Sequence, residues 1–215
     1  LRPNGRPVEN SSLYIGGLAG EQEIDAGVLW EVIRLPDGKV SPVPLAYRPF
    51  WRNTEWKNSE AKPAYYYFPG DMIRMRCAVV GPSQLQLEIA VEKRGPNAAP
   101  ALAALGFSPD AIATADTPTT LTVQFEAKGF GEGLPQQFKR VNGLDQSGNE
   151  GQAVKPTAAR VEVARWERVV LLRGEERFPF TPERFTDMRC PDPQHVQAAP
   201  IAGDPTAEEV ALRGQ

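Results

Sequence analysis

Glu21, Glu23, Asp25 and Glu31 crowd one short stretch of the chain, and Glu167 stands in a second, Ala164-Arg-Trp-Glu-Arg-Val. Carboxyl groups do chemistry in pairs: held across a cleft, one donates a proton while the other activates water or attacks, as in glycoside hydrolysis. Asp25 and Glu167 are the two candidates for such a pair. Asp25 interrupts the apolar alternation of Ile24, Ala26, Val28 and Trp30, so it lies either on an open sheet face or buried beside a cation. Arg74 and Arg76, alternating along the stretch from Met72 to Val80, are the cations that could meet it. Glu21 and Glu23 read more simply as a solvated turn and strand edge.

Trp30, Trp51, Trp56, Tyr65, Tyr67 and Trp166, with Tyr47 beside them, are flat rings of the sort that stack on a sugar while nearby polar groups bind its hydroxyls. Glu31, Arg74 and Arg76 would complete that ligand-binding set. The same rings at alternating positions would equally fill a core. Asp145, Ser147, Asn149 and Glu150 offer oxygens at alternate positions of a loop, a weak calcium candidate that lacks the glycine and distal glutamate of a helix-loop-helix calcium site. A plain polar turn is the other reading, and no cofactor is expected. The single histidine, His195, leaves no second imidazole for zinc and no Ser-His-Asp arrangement. Gly16-Gly17 and Gly20 do not make a phosphate loop, because no helix follows them.

These groups need a scaffold, and the punctuation of the chain indicates which one. Among 215 residues, 21 prolines and 19 glycines are spread between short apolar runs, a pattern of many short strands. Leu85, Leu87, Ile89 and Val91 alternate with Gln86, Glu88 and Ala90, as in a half-buried antiparallel strand. Arg160 to Arg173 reads as one long strand, Ala98 to Leu105 as a short helix. With 41% hydrophobic residues a sizeable core is available. The expected fold is all-β, a two-sheet antiparallel β-sandwich of the jelly-roll kind with little helix. One domain over residues 1–200 and a flexible or short helical tail over 201–215 are expected. A net charge of −3 with both signs interspersed gives no footprint for nucleic acid. No apolar run is long enough to span a bilayer, and a monomer is expected. The opening at Leu1 without Met suits a processed precursor, so an extracellular or cell-surface location is expected. Cys77 and Cys190 allow one disulfide tying the tail to the core. The alternative is a buried strand thiol and a second free one.

Two blocks carry a resemblance. Tyr14-Ile-Gly-Gly through Asp25-Ala-Gly-Val, then the aromatic stretch and Phe68-Pro-Gly-Asp-Met-Ile-Arg-Met-Arg, resemble concanavalin-like sandwich proteins in the strand order of the glutamic peptidases (eqolisins). Uncharacterised exported bacterial proteins of that fold look similar. The resemblance implies an acid peptidase whose Glu activates water while a Gln amide stabilises the oxyanion. That pair is not preserved here. Asp25 matches the Gln, Val169 falls where the Glu belongs, and Glu167 comes two residues earlier on the same face. The leading expectation is non-catalytic binding of a carbohydrate or other polar surface ligand, glycan or polypeptide. Alternatives are an acid-active hydrolase, peptidase or glycosidase using Asp25 with Glu167, and a structural surface protein without a small ligand.

Overall fold

The computed structural model describes residues 9–31, 33, 35–39, 41, 46–108, 120–146, 156–181 and 195–213. The chain divides into two compact units, Leu1–Val141 and Asn142–Gln215. The elements run β1 (Glu9–Ala19), β2 (Gln22–Glu31), β3 (Ala46–Arg52), β4 (Lys57–Ser59), β5 (Met72–Gly81), β6 (Gln84–Lys93), helix α1 (Ala98–Ala104), β7 (Thr120–Glu126) and β8 (Gln136–Gln146). After the end of the first unit come β9 (Arg160–Trp166), β10 (Val170–Arg173), β11 (Glu176–Pro179), β12 (Val196–Pro200) and β13 (Glu208–Arg213).

In the first unit one sheet has the order β4-β3-β2-β1-β8 and the other β5-β6-β7. Pairing is antiparallel from β1 through β4 and from β5 through β7. The β1–β2 hairpin closes through Gly20-Glu21, where Gly20 takes φ +60°, a turn that suits the twist of paired strands and disfavours a Cβ. Alternation then decides which side chains go inward. Ala19, Ile24, Ala26, Val28 and Trp51 from the larger sheet meet Leu85, Leu87, Ile89, Leu121 and Phe125 from the smaller in one buried cluster. Leu87 and Ile89 are wholly buried, each worth about 1.5–3 kcal/mol relative to exposure. The first unit is therefore an all-β, two-sheet antiparallel sandwich, as the alternation predicts.

Asp71 fixes the entry into the smaller sheet. Its Oδ2 accepts from the Phe68 N–H at 3.0 Å and from Arg94 Nη1 at 2.7 Å, and its Oδ1 accepts from the Gly95 N–H at 2.8 Å. One carboxylate thus ties the start of β5 to the end of β6. The helix expected at Ala98 to Leu105 is α1, and its Leu102 is buried with Ile33, Ala46, Tyr66, Phe68 and Leu105 in a second cluster.

In the second unit β12-β13-β9 form one sheet and β10-β11 a separate hairpin. Two expectations are corrected here. The long strand from Arg160 to Arg173 is broken between Trp166 and Val170, where Arg168 takes φ +54°. Polar side chains capture the backbone at the break, Asp204 Oδ2 accepting from the Arg168 N–H and Thr206 Oγ1 from the Val169 N–H, both at 2.9 Å. The tail contains no helical turn over Glu208–Arg213, because that segment is strand β13, paired with both β12 and β9. Its Val210 and Leu212 are buried at a spacing of two, the strand period rather than the helical one.

Candidate functional site

The face of the five-stranded sheet turned away from the core is built in rows. Gly16, Asp25, Arg52 and Lys57 are successive cross-strand partners in one row, and Tyr14, Gly27, Phe50 and Ser59 in the next. A period of two sends both rows to the same face, opposite Ile24, Ala26, Val28 and Trp51. The glycines decide what meets what. A Cβ on Gly16 would lie 2.8 Å from Asp25 Oδ1 and 2.9 Å from Lys139 Cε, so only a bare backbone lets Lys139 reach over β1 to Asp25. A Cβ on Gly27 would lie 2.3 Å from the Leu13 carbonyl oxygen and 2.6 Å from Tyr14 Cβ. Across that gap the Tyr14 and Phe50 rings meet edge to face, centroids 5.7 Å apart.

Asp25, only 3% exposed, is held by cations on both sides. Its Oδ2 accepts from Arg52 Nε at 2.5 Å and is paired with Arg52 Nη2. Its Oδ1, buried and without a hydrogen-bond donor of suitable geometry, has the Lys139 ammonium at 2.7 Å as an ion-pair contact. Glu23 bridges the same two cations, Oε1 to Lys139 Nζ at 2.6 Å and Oε2 to Arg52 Nη2 at 3.1 Å. Partial burial alone would raise the Glu23 pKa, but the Lys139 and Arg52 contacts outweigh it and hold the carboxyl below its ordinary value of 4.5. For Arg52, burial works against the charge, yet Asp25 and Glu23 raise its pKa above the usual value. The Lys139 ammonium also lies 5.6 Å from the centre of the Tyr14 ring, and the Lys57 ammonium 5.1 Å from that of Phe50. Farther along the face Glu31 pairs with Arg48 at 3.5 Å.

Several expected site residues sit elsewhere. Arg74 and Arg76 are on β5, in the other sheet, where they pair with Glu92 at 3.6 Å and Glu88 at 3.5 Å; the cations at Asp25 are Arg52 and Lys139. The reason is register, since β3 places Arg52 directly opposite Asp25. Trp51 and Tyr67 are core residues, and Trp56 and Tyr65 pack against the same cluster, Trp56 edge to face with Phe125 at 6.1 Å. Burial raises the pKa of the Tyr67 hydroxyl. Trp30 alternates to the side opposite Asp25 and lies against Tyr47, centroids 4.9 Å apart. Aromatic area here is spent on the core, because a face that points inward buries whatever rings it carries.

In the second unit Trp166 is buried and its Nε1 donates to Asn142 Oδ1 at 2.7 Å. Glu167 follows the end of β9, exposed, with Arg165 Nη1 at 3.6 Å. Cys77 carries a free thiol, and burial pushes its pKa up to about 12. Cys190 lies outside the described residues, as do Ser147, Asn149 and Glu150 of the calcium candidate; of Asp145 only the backbone, within β8, is described. Among the described residues no group of three or more His, Cys, Asp or Glu side chains is gathered as a cation site, and no helix is long and apolar enough to cross a membrane. At the end of the large sheet, Glu21, Gln22, Thr54, Glu55, Lys128 and Glu132 border an open depression of about 450 Å³.

Arg52, Lys139, Tyr14, Phe50 and Lys57 are site residues that the sequence reading missed. The alternation of Arg48, Phe50 and Arg52 against Tyr47 and Trp51 was the available signal for two of them, Phe50 and Arg52. Lys139, far from Asp25 in sequence, had none.

In fold the chain is similar to the aspergilloglutamic peptidase from Aspergillus niger, with a TM-score of 0.52 and 10% identity over 96% of this chain and 99% of that one. At that identity the likeness is one of fold. No family model and no curated protein matches the sequence.

Proposed function

We propose that this chain is a non-catalytic binding protein, and that the outward face of its five-stranded sheet holds a polar surface ligand, with carbohydrate the first class to test. One observation carries the reading: Asp25, the residue matched to the family's catalytic Gln, has Arg52 on one carboxylate oxygen and Lys139 on the other. With a cation against each of its two oxygens, this carboxyl has neither oxygen turned toward an oxyanion or an attacking water. The arrangement has structural value and leaves Tyr14, the outer edge of Arg52 and the exposed Lys57 as the groups a ligand would meet. An acid-active hydrolase using Asp25 with Glu167 is the second reading, favoured by the similarity in fold to a peptidase.

The two readings separate in one experiment. Purified protein is incubated with denatured protein and polysaccharide substrates from pH 2 to 7, and the same preparation is applied to a glycan array. Binding without cleavage, lost in Tyr14→Ala while the fold persists, is the expected result. Cleavage that disappears in Asp25→Asn or Glu167→Gln would overturn the binding reading.

A further inference from the structure

We infer that the folded first unit carries a covalent modification site of its own making, an amide bond between the Asp25 carboxyl and the Lys139 side-chain nitrogen, formed with loss of water and independent of ligand binding. The Lys139 nitrogen lies 2.7 Å from Asp25 Oδ1 and 2.6 Å from Glu23 Oε1, while Arg52 Nε holds the other Asp25 oxygen at 2.5 Å. An amine against a carboxyl, a carboxylate to carry its protons and a cation on the second oxygen are the parts that amide formation needs. Placement adds to this. Glu23 Oε1 accepts an aligned hydrogen bond from the Lys139 nitrogen, whereas Asp25 Oδ1, buried and touching the same nitrogen, receives none. The nitrogen thus gives its donor direction to Glu23 and packs against the Asp25 carboxyl out of hydrogen-bond alignment. Gly16 makes the approach possible. In the order β2-β1-β8 it stands between the two strands, and a Cβ there would lie 2.8 Å from Asp25 Oδ1 and 2.9 Å from Lys139 Cε.

The step balances with the groups in place. Of the three protons on the Lys139 ammonium, two pass by way of Glu23 Oε1 to Asp25 Oδ1 and one stays on nitrogen. The nitrogen lone pair forms the bond to Asp25 Cγ, the Cγ–Oδ1 bond breaks with its electron pair on oxygen, and water leaves. Arg52 holds the charge that gathers on Oδ2 in the tetrahedral intermediate. Glu23 ends as the carboxylate it began as. Burial favours the bond, because the Asp25 side chain is only 4% exposed and bulk water is kept from the carbon at which hydrolysis would reverse the reaction. The product is a covalent tie between β2 and β8, strands that meet in the sheet only through β1. The ion pairs are its starting state and persist in any chain that has not reacted.

The test is the intact mass of the full chain, read by mass spectrometry in denaturant after the purified protein has stood folded at neutral pH. The parent is expected to be lighter than its sequence mass by one water, and digestion to release a branched peptide that joins the Asp25 and Lys139 segments. Lys139→Arg keeps the cation without an amine that can condense, and it is expected to carry the full mass. Glu23→Gln leaves both reacting groups but no proton carrier, and the linked species is expected to form about a hundredfold more slowly. Because the mass of the parent decides by itself, a variant that fails to fold leaves the test standing. A parent at its full sequence mass would overturn the inference and leave ion pairing as the whole account of these side chains. So would a water lost at some other position, or lost equally in Lys139→Arg.

Discussion

Asp25 is a residue whose identity is set by its neighbours. A carboxylate taken out of water next to Arg52 and Lys139 is stabilised by them, and it in turn keeps two cations compatible with a half-buried sheet face. Removing it leaves the two cations with Glu23 alone to bridge them. Asp25→Ala is therefore expected to lower stability by about 3 kcal/mol, the usual cost of breaking a buried pair from one side, as measured by urea unfolding. Asp25→Asn keeps the shape and should cost less. If both variants unfold like the parent, the network does not contribute to stability. Cys77 makes a simpler case. Its thiol, pushed by burial from 9.0 to about 12, forms thiolate about a thousandfold less readily than an ordinary one. Iodoacetamide at pH 8 is expected to spare Cys77 in the folded chain and to label it in urea, as peptide mass mapping would report. Labelling at equal rates in both states would contradict the burial.

At the scale of elements, what was legible in the sequence was whatever is local. The period-two runs of β2, β6 and β7, the Gly20-Glu21 turn and helix α1 follow from residues next to one another. The sheet partners do not. Nothing near Asp25 names Arg52 or Lys139, because pairing between β2 and β3 is decided by register across a long connection. Arg74 and Arg76, alternating in a strand of their own, were the more visible cations and belong to the other sheet. The aromatics misled for a related reason: Trp51 and Phe50 are adjacent, and parity alone sends one to the core between the sheets and the other to the opposite face of its sheet. The break after Trp166 was hidden because its causes, Asp204 and Thr206, lie some forty residues onward. Glycines in the rows of that opposite face carry a prediction at this scale. Gly27→Ala would bring a Cβ to 2.3 Å from the Leu13 carbonyl oxygen, so β1 and β2 must separate locally. A loss of about 1–3 kcal/mol is expected from such overpacking. The Tyr14–Phe50 contact should open with it, read as a change in near-ultraviolet circular dichroism. An unaltered spectrum and unfolding midpoint would show that the strands tolerate the methyl.

For the whole molecule, the same network sets the direction of its response to acid. Glu23 titrates below 4.5 in the folded chain because Lys139 and Arg52 outweigh the effect of its partial burial. A carboxyl whose folded pKa lies below its unfolded one contributes stability that is fully present above the unfolded value. That contribution disappears as pH falls through the folded value. Stability attributable to Glu23 is thus complete above about pH 4.5 and is withdrawn below it. The charge of the chain adds to the effect. Once its 27 Asp and Glu are protonated, the 24 Lys and Arg are left uncompensated and repel one another. The melting temperature is expected to be flat from pH 7 to about 5 and to fall steeply below about 4, with Glu23→Gln flattening part of that fall and lowering the plateau. Differential scanning calorimetry across this range checks both the parent and the variant. A parent melting temperature that rises toward pH 3 would mean that the carboxylates of this face do not contribute to stability through their ion pairs.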